Sequence, residues 1–358
     1  MSALTGPREV IWDLTYACQL RCVHCYSESG RRPARQVGQE VMRAIAEAII
    51  SLRPDAVAIA GGEPLINKAV FDVTRRLTEA GILVVLYTSA WSFEPWMVPR
   101  ARESFARIAV SVDAPTAELH DRIRGRAGSF ERAMNALSLL DTAAGESIAA
   151  GRPPLAFGID SVVMRCNFDL MESLCTTMAA RFPRMNLISF NAAAPSGLAS
   201  TTGFAQLELV TDEQADALAG RALRRKLRAL APATMRVDTT DNRALRMSPD
   251  LVEKGIITDA MQIEPDGEVR AMPMYEGTVG NILTESPWTL WERAVQRRHD
   301  PFLVETLRTV KTMDEWAAAC RELDYHFGSE TVRSRIDRRP LFVGLPASVS
   351  SRPAPTAP

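Results

Sequence analysis

The chain has 358 residues, of which 46% are hydrophobic and 24% charged, and its formal net charge is −1. This length and composition predict a large folded core and exclude global disorder. The balanced charge gives no indication of a nucleic-acid partner. There is no signal-peptide pattern at the N-terminus and no run of about 18 apolar residues, so we expect a cytoplasmic protein without a membrane partner.

The first half of the chain alternates strand-like runs with segments of helical spacing. The strand-like runs are 10–15, 55–60, 82–88, 108–113, 155–164 and 185–191. Such alternation predicts a parallel sheet with helices outside it. We expect an α/β fold whose core, residues 1–200, is a partial (β/α)6 barrel of the TIM type. Ligands of such folds bind at the carboxyl ends of the strands.

The pattern changes after Asn191, and a smaller α+β cap is predicted over residues 201–343. Residues 211–214 have capping-box spacing and open a predicted long helix that ends near Leu230. A hairpin is predicted over 259–274, with its turn at 265–267. Residues 344–358 are rich in Pro, Ser and Ala, and we expect a disordered tail there.

Three of the six cysteines, Cys18, Cys22 and Cys25, crowd into one loop after the first strand. This spacing is unlike a secreted disulfide framework, and a reducing cytosol is expected. Three thiolates can hold a [4Fe–4S] cluster and leave one iron open for a small ligand. A zinc site is the alternative, but structural zinc usually has four ligands and no fourth is evident.

Two further groups of residues directly follow predicted strands and are therefore expected at the same edge of the sheet. Gly61, Gly62, Glu63 and Pro64 follow the second strand, where glycines let backbone approach a ligand and a carboxylate can meet an ammonium group; an ordinary turn is the alternative. At the end of the fourth strand, Ser111 and Asp113 precede Arg124. A hydroxyl and a guanidinium suit a diol and a carboxylate; a surface ion pair is the alternative for Arg124.

The stretch from Trp12 to Arg32, with its CxxxCxxC spacing, resembles the radical S-adenosylmethionine (SAM) superfamily. More narrowly it is similar to the SPASM/twitch branch of the mycofactocin-maturase type, well over residues 8–200 and partially over 255–295. The resemblance implies SAM chelated at the open iron of the cluster and cleaved reductively to a 5′-deoxyadenosyl radical that takes a hydrogen atom from a substrate. It also implies an external electron donor of the flavodoxin or ferredoxin type.

The resemblance also implies which residues contact SAM, while no catalytic side chain is assigned. His24 and Phe190 are expected beside adenine, with a surface position as the alternative for His24 and plain core packing as the alternative for Phe190. The other expected contacts are Gly61, Gly62, Glu63, Pro64, Thr88, Ser111, Asp113 and Arg124. The chain departs from the family pattern at Ser89 and Ala90, where Asn-Gly is common, and at Ala114, where Gly is usual.

Relatives of the SPASM type carry further cysteines in the C-terminal third, but here Met272 stands at the first expected cysteine position. A neutral thioether does not replace a thiolate, and Cys166, Cys175 and Cys320 fit no cluster motif. We therefore predict one cluster and a degenerate SPASM-like cap. Without an auxiliary cluster as electron acceptor, a redox-neutral outcome such as decarboxylation, elimination or epimerisation is favoured.

Substrate contacts are predicted from position alone, at Trp91, Asp160, Arg165, Asn191, Glu264 and Tyr275. We expect a small natural-product substrate, such as a sugar, nucleoside or amino-acid derivative, and a peptide precursor stays open as an alternative. A non-catalytic Fe–S or zinc protein is a second alternative, and a radical SAM methyltransferase is a third.

Overall fold

One sheet of ten strands runs through the residues that the structure, a computed structural model, describes, which are 6–257 and 259–349. Its strands are β1 (Glu9–Thr15), β2 (Ala56–Gly61), β3 (Leu83–Thr88), β4 (Arg107–Ser111), β5 (Ala156–Val163), β6 (Leu187–Ala192), β7 (Arg236–Thr240), β8 (Ala260–Ile263), β9 (Glu268–Arg270) and β10 (Thr278–Asn281). The strand order is β10-β9-β8-β1-β2-β3-β4-β5-β6-β7. Strands β8 and β1 to β7 are parallel, and β9 and β10 are antiparallel to their neighbours. The result is an open, partial barrel.

Helices cover the outside of the sheet and build the cap. They are α1 (Gln39–Leu52), α2 (Val70–Glu79), α3 (Met97–Ser104), α4 (Ala117–Arg124), α5 (Ser129–Ala149), α6 (Arg165–Phe168), α7 (Met171–Arg181), α8 (Thr202–Leu207), α9 (Asp212–Ala219), α10 (Arg221–Ala229), α11 (Pro249–Glu253), α12 (Pro287–Arg297), α13 (Pro301–Arg308), α14 (Met313–Phe327) and α15 (Glu330–Asp337). Among the helices of the described ranges, none combines the length and the apolar character that crossing a bilayer requires.

The two faces of the strands have different surroundings, because side chains alternate along a strand. On β1, Val10, Trp12 and Leu14 point outward and are buried in the main hydrophobic core under the helices. Glu9 and Ile11 point inward and line an internal cavity. The inner face of the barrel is therefore the face that is available to a ligand.

The six predicted strands are all present, and the structure adds two more parallel strands. Strand β7 was not predicted, because Val237 is the one strongly apolar residue among the five residues of this strand. The predicted long helix is wrong as a single element, since extended backbone at Gly220 divides it into α9 and α10, while the capping box at Thr211 is confirmed. The predicted hairpin is confirmed as β8 and β9.

The division of the chain at residue 200 stays a prediction, and the structure adds that β8 of the cap lies beside β1 of the barrel in the same sheet. Part of the predicted disordered tail is described. Arg122 Nε donates a hydrogen bond to the Pro346 carbonyl at 2.7 Å, which holds that stretch against α4. Residues 350–358 of the predicted tail lie outside the described residues.

Candidate active site

The cysteine loop begins where β1 ends and is closed at its base by backbone hydrogen bonds. Tyr16 N–H donates to the Ala34 carbonyl at 2.8 Å, and Gly30 N–H donates to the Tyr16 carbonyl at 2.8 Å. Within this closed loop, Cys18, Cys22 and Cys25 all line a cavity of about 350 Å³ at the carboxyl edge of the sheet. The loop thus directs three sulfur atoms to one space.

Arginine side chains brace the same loop from its outer side. Arg31 donates to the carbonyls of Arg21 at 2.7 Å and Cys22 at 3.3 Å, and Arg126 donates to the Gln19 carbonyl at 3.1 Å. These bonds satisfy loop carbonyls that no secondary structure pairs, and they fix the cysteine backbone. They also bring positive charge close to the thiols.

The thiols are in an environment that disfavours a bare thiolate. Burial raises the pKa of Cys18, and the neighbouring Cys22 raises it further. Burial also raises the pKa of Cys22, although the guanidinium of Arg124 opposes that shift. A cationic iron centre would supply the missing positive charge, because metal coordination deprotonates a thiol.

The arrangement of the sulfur ligands bears on whether the site holds a cluster or a single metal ion. In the described part of the chain, no three His, Cys, Asp or Glu side chains are close enough together to hold one metal ion. Zinc needs its ligands to converge on one atom, whereas a [4Fe–4S] cluster takes each thiolate at a different iron. The three soft sulfur donors fit a cluster, in which each thiolate binds a different iron.

Gly61 and Gly62 lie against the cysteine loop and line the cavity. Gly62 N–H donates to the Thr15 carbonyl at 2.7 Å. A Cβ atom on Gly62 would lie 2.1 Å from the Ala17 carbonyl oxygen, and one on Gly61, whose φ is 104°, would lie 2.6 Å from the Thr15 carbonyl oxygen. Only glycine permits this close approach, so the two motifs found in the sequence form one structural unit.

Glu63 does not reach the cavity. Its carboxylate is fully buried and accepts hydrogen bonds from Leu65 N–H at 3.2 Å, Thr88 Oγ1 at 2.7 Å and both the backbone and hydroxyl of Ser89. Burial raises the pKa of Glu63 in spite of these bonds. In this structure Glu63 holds the end of β3 against the glycine turn, and Pro64 is buried as the first residue of a 3₁₀ turn. Thr88 itself lines the cavity.

His24, Asp113 and Arg124 form a buried cluster beside Cys22. Arg124 Nε lies 2.6 Å from Asp113 Oδ2, and His24 Nε2 lies 3.4 Å from the same oxygen. Arg124 Nη1 also lies 3.9 Å from Cys22 Sγ. Burial alone would raise the pKa of Asp113, but Arg124 and His24 outweigh it and hold that pKa well below its usual range. Asp113 therefore orients the other two side chains, which line the cavity while Asp113 itself does not.

The sheet edge adds three more predicted residues to the cavity, Ser111, Asp160 and Asn191. Asn191 Nδ2 donates to Asp160 Oδ1 at 2.8 Å. Burial raises the pKa of Asp160 to about 6, while Arg124 acts to lower it. A carboxyl that titrates in this range can hold or accept a proton at neutral pH.

Other predicted positions are corrected by the structure. Phe190 is fully buried in the outward-facing core, because it alternates with Ser189 and Asn191 on β6 and so points away from the cavity. Trp91 lies outside the cavity, with the Arg126 guanidinium 3.6 Å above its ring. Arg165 donates to the carbonyls of Leu209 at 2.6 Å and Gln206 at 2.7 Å, and thereby fixes the chain before α9.

The two predicted substrate contacts in the cap also have structural partners. Glu264 pairs with the fully buried Arg270 at 2.8 Å and with Arg35. Tyr275 donates to the Arg246 carbonyl at 3.0 Å and accepts from Trp316 Nε1 at 2.9 Å. Neither lines the cavity: Glu264 joins the cap to the barrel through Arg35, and Tyr275 stabilises the cap itself.

Several cavity residues were missed in the sequence. Asn242, Leu245 and Met274 come from the cap and cover the cavity, and Met274 does so in a left-handed conformation with φ 71°. Glu9 and Tyr87 line its inner end. The period-2 alternation of β1 and β3 could have identified Glu9 and Tyr87, whereas the cap residues depend on tertiary structure alone.

Comparison with known proteins agrees with this geometry. Residues 12–147 match the family described as the Radical SAM superfamily. The match covers less than half of the chain, and over this region the chain is similar to the radical SAM superfamily. The superfamily's cofactors are a [4Fe–4S] cluster and SAM, and the three cysteines with the adjoining glycine turn fit both.

The chain is 36% identical over 143 residues to the AdoMet-dependent heme synthase of Methanosarcina barkeri, which is 39% of this chain and 41% of the synthase. It is 31% identical over 180 residues to the mycofactocin maturase MftC of Mycolicibacterium smegmatis, which is 50% of this chain and 43% of the maturase. The matches thus span less than half of these two relatives.

A likeness in fold alone extends further. The structure of Streptococcus suis SuiB bound to the precursor peptide SuiA aligns with a TM-score of 0.59 at 14% identity, over 92% of this chain and 73% of SuiB. The radical SAM core and the cap are both included in that alignment.

Proposed function

We propose that this chain is a radical SAM enzyme that cleaves SAM at one [4Fe–4S] cluster and takes a hydrogen atom from a small natural-product substrate. The observation that supports this proposal most directly is that one cavity is lined by the three cysteines, the Gly61-Gly62 turn and the side chains of Ser111 and Arg124. A purely structural cluster or zinc site needs no such cavity beside it. The non-catalytic alternative is therefore disfavoured.

Each group has a defined task in this proposal. When bound, the cluster and SAM supply a 5′-deoxyadenosyl radical. Cys18, Cys22 and Cys25 hold the cluster, and the backbone of Gly61 and Gly62 receives the methionyl amine. Arg124, fixed by Asp113, presents its guanidinium to a carboxylate or a ribose hydroxyl. The cap excludes water from the cavity, which protects a reactive intermediate from side reactions.

We propose a redox-neutral outcome because the cysteines outside the loop pack in helices and are not arranged to hold a second, electron-accepting cluster. Cys175 and Cys320 are buried in α7 and α14, and Cys166 lies in α6. Met272 is 3% exposed and packs in the main core. With no second cluster to accept an electron, the substrate-derived radical is expected to end in decarboxylation, elimination or epimerisation.

A peptide maturase is the second candidate, favoured by the 31% identity to MftC over 180 residues. The SuiB structure shows that a related fold accommodates a precursor peptide. A cavity of about 350 Å³ leaves room beside SAM for only a small group. A small molecule could therefore lie mostly inside the cavity, whereas most of a peptide would lie outside it.

An external electron donor of the flavodoxin or ferredoxin type is proposed to dock on the outer side of the cysteine loop. The half-buried Arg31 and the exposed Arg132 lie there and, within the described ranges, form no ion pair with a carboxylate. An acidic surface of the donor would complement these charges and speed association. These side chains do not line the cavity, so donor and substrate would not compete for them.

The proposal is tested by anaerobic reconstitution with iron and sulfide. We expect about four iron ions per chain, and about twice that number would contradict a single cluster. Mass spectrometry then compares small-molecule fractions with candidate precursor peptides for products that form together with 5′-deoxyadenosine. A product with two electrons fewer than its substrate would contradict the redox-neutral part, and turnover of peptides alone would replace the first candidate with the second.

A further inference from the structure

The backbone carbonyl of Cys25, the third cysteine of the loop, is held from two sides. Leu198 N–H donates a hydrogen bond to it at 3.1 Å, and Glu28 N–H donates a longer one at 3.4 Å. Gly197 lies so close that a Cβ atom there would be 2.6 Å from the same oxygen. The position of Cys25 therefore depends on two neighbouring segments, one within the cysteine loop and the other after β6.

Glu28 has a backbone conformation that residues other than glycine rarely adopt. Its φ is 53°, in the left-handed region, and Arg31 N–H donates to its carbonyl at 3.0 Å. Such a conformation costs free energy, and it persists where surrounding contacts fix it. The Glu28 side chain is 5% exposed and does not line the cavity. Contacts to this side chain therefore act on the shape of the loop.

The Glu28 carboxylate is bound by two guanidinium groups from the C-terminal part of the described chain. Arg335 Nε donates to Glu28 Oε1 at 3.1 Å. Arg339 donates to the same oxygen from Nη2 at 2.9 Å and from Nε at 3.2 Å. The Arg339 side chain is 5% exposed, so salt and water screen its charge little. Charge-assisted hydrogen bonds of this kind are stronger than neutral ones, and here they converge on one residue of the cysteine loop.

Arg339 also contacts the second segment that holds Cys25. Its Nη1 donates to Ser200 Oγ at 3.2 Å. Ser200 lies two residues after Leu198, which donates to the Cys25 carbonyl. One guanidinium group thus binds both segments whose N–H groups meet at Cys25.

Helix α15, which carries Arg335, contributes no buried residue to the core among its eight. Arg335 Nη2 donates to the carboxylate of Glu276, which lies two residues after the cavity-lining Met274. Arg335 therefore joins the cysteine loop to the part of the cap that covers the cavity. Without a buried apolar face, the helix depends on such polar contacts for its position beside the loop.

We infer that Arg335 and Arg339 are positioning residues for the cluster, because through Glu28 they fix the backbone of Cys25 in the shape that binds it. The inference rests on the proposed function, since that function places a [4Fe–4S] cluster at the cysteine loop. Neither arginine lines the cavity, so neither is assigned to SAM or to the substrate. The C-terminal helix is thereby part of the cluster site, although the spacing of the cysteines gives no sign of it.

The test measures how fast the anaerobically reconstituted protein loses its iron–sulfur absorbance to excess EDTA. Arg339→Ala and Glu28→Gln should each lose it about tenfold faster than wild type, as when an outer partner of a metal ligand is removed. Arg338→Ala is the matched control and should behave as wild type, because Arg338 is exposed and donates to Ser334 of its own helix. Circular dichroism shows which variants are folded, and the milder Glu28→Gln decides if Arg339→Ala is not.

The double variant Glu28→Gln/Arg339→Ala separates positioning of the loop from general stabilisation. If Arg339 acts through Glu28, the double variant should lose the cluster no faster than the more damaging single variant. The electron paramagnetic resonance spectrum of the reduced cluster should also change in Arg339→Ala, because it depends on the geometry of the thiolate ligands. Independent, multiplied effects, single variants with wild-type rates, or an unchanged spectrum would each overturn the inference.

The inference and the proposed function can fail separately. Release of 5′-deoxyadenosine by wild type, together with wild-type rates of cluster loss in Arg339→Ala and Glu28→Gln, would reject the two positioning residues and leave the proposed function intact. A wild type that holds its cluster without releasing 5′-deoxyadenosine would reject the proposed function. Faster cluster loss in the two variants would still support the role of the arginines in that case.

Discussion

Replacing Asp160 with Asn should make the protein more stable at neutral pH. Burial raises the folded-state pKa of Asp160 to about 6 from a reference value of 3.8. The folded protein therefore holds this proton more tightly than the unfolded chain does. The stability that the proton contributes is present below pH 3.8 and is lost as the pH rises through about 6.

The magnitude follows from that difference of about two pKa units. One unit corresponds to about 1.36 kcal/mol, so ionised Asp160 costs the folded state up to about 3 kcal/mol at pH 7.5. The side chain faces the cavity, where water lowers the cost, and we expect about 2 kcal/mol. Asparagine cannot ionise and can still accept the bond from Asn191.

The assay is urea unfolding of wild type and Asp160→Asn at pH 4.5 and pH 7.5, followed by circular dichroism. The variant should be more stable by about 2 kcal/mol at pH 7.5, and the difference should fall to about half of that at pH 4.5. Asp55→Asn, whose side chain is 65% exposed, is the control and should change little at either pH. A variant no more stable than wild type at pH 7.5, or a difference independent of pH, would refute the reasoning.

Two other substitutions test the cavity wall. Asp113→Asn breaks the buried pair with Arg124 and should lower the free energy of unfolding by about 3 kcal/mol, measured by the same urea titration; a loss below about 1 kcal/mol would contradict a buried ion pair. Gly62→Ala places a Cβ 2.1 Å from the Ala17 carbonyl oxygen and should sharply reduce the iron content after reconstitution. Gly38→Ala, which meets nothing within 4 Å, should retain full iron, and equal iron in both variants would show that the close approach is unimportant.

The site residues that the sequence predicted best are those that directly follow a strand. Cys18 and Gly62 each lie just past a strand end, and parallel strands bring such positions to one edge. Asp160 and Asn191 line the cavity for the same reason, since β5 and β6 are adjacent, and their contact with a substrate stays a prediction. Phe190 was misplaced because a position within a strand gives its face only through period-2 alternation, which Ser189 and Asn191 would have fixed.

The cap was harder to predict because its contacts join distant parts of the chain. Arg35 pairs with Glu264 across 229 positions, and Arg335 pairs with Glu28 across 307. No local pattern specifies such partners. Position alone therefore made Glu264 a candidate substrate contact, although its carboxylate stabilises the fold.

The most direct test of the central claim is release of 5′-deoxyadenosine from SAM by the anaerobically reconstituted protein with dithionite. The wild type should release it, and Cys22→Ser should not, because one of three cluster ligands is lost. Cys175→Ser, at a buried cysteine of α7 outside the loop, should retain release. Absence of 5′-deoxyadenosine from a wild-type protein that holds its iron, or undiminished release by Cys22→Ser, would contradict the account.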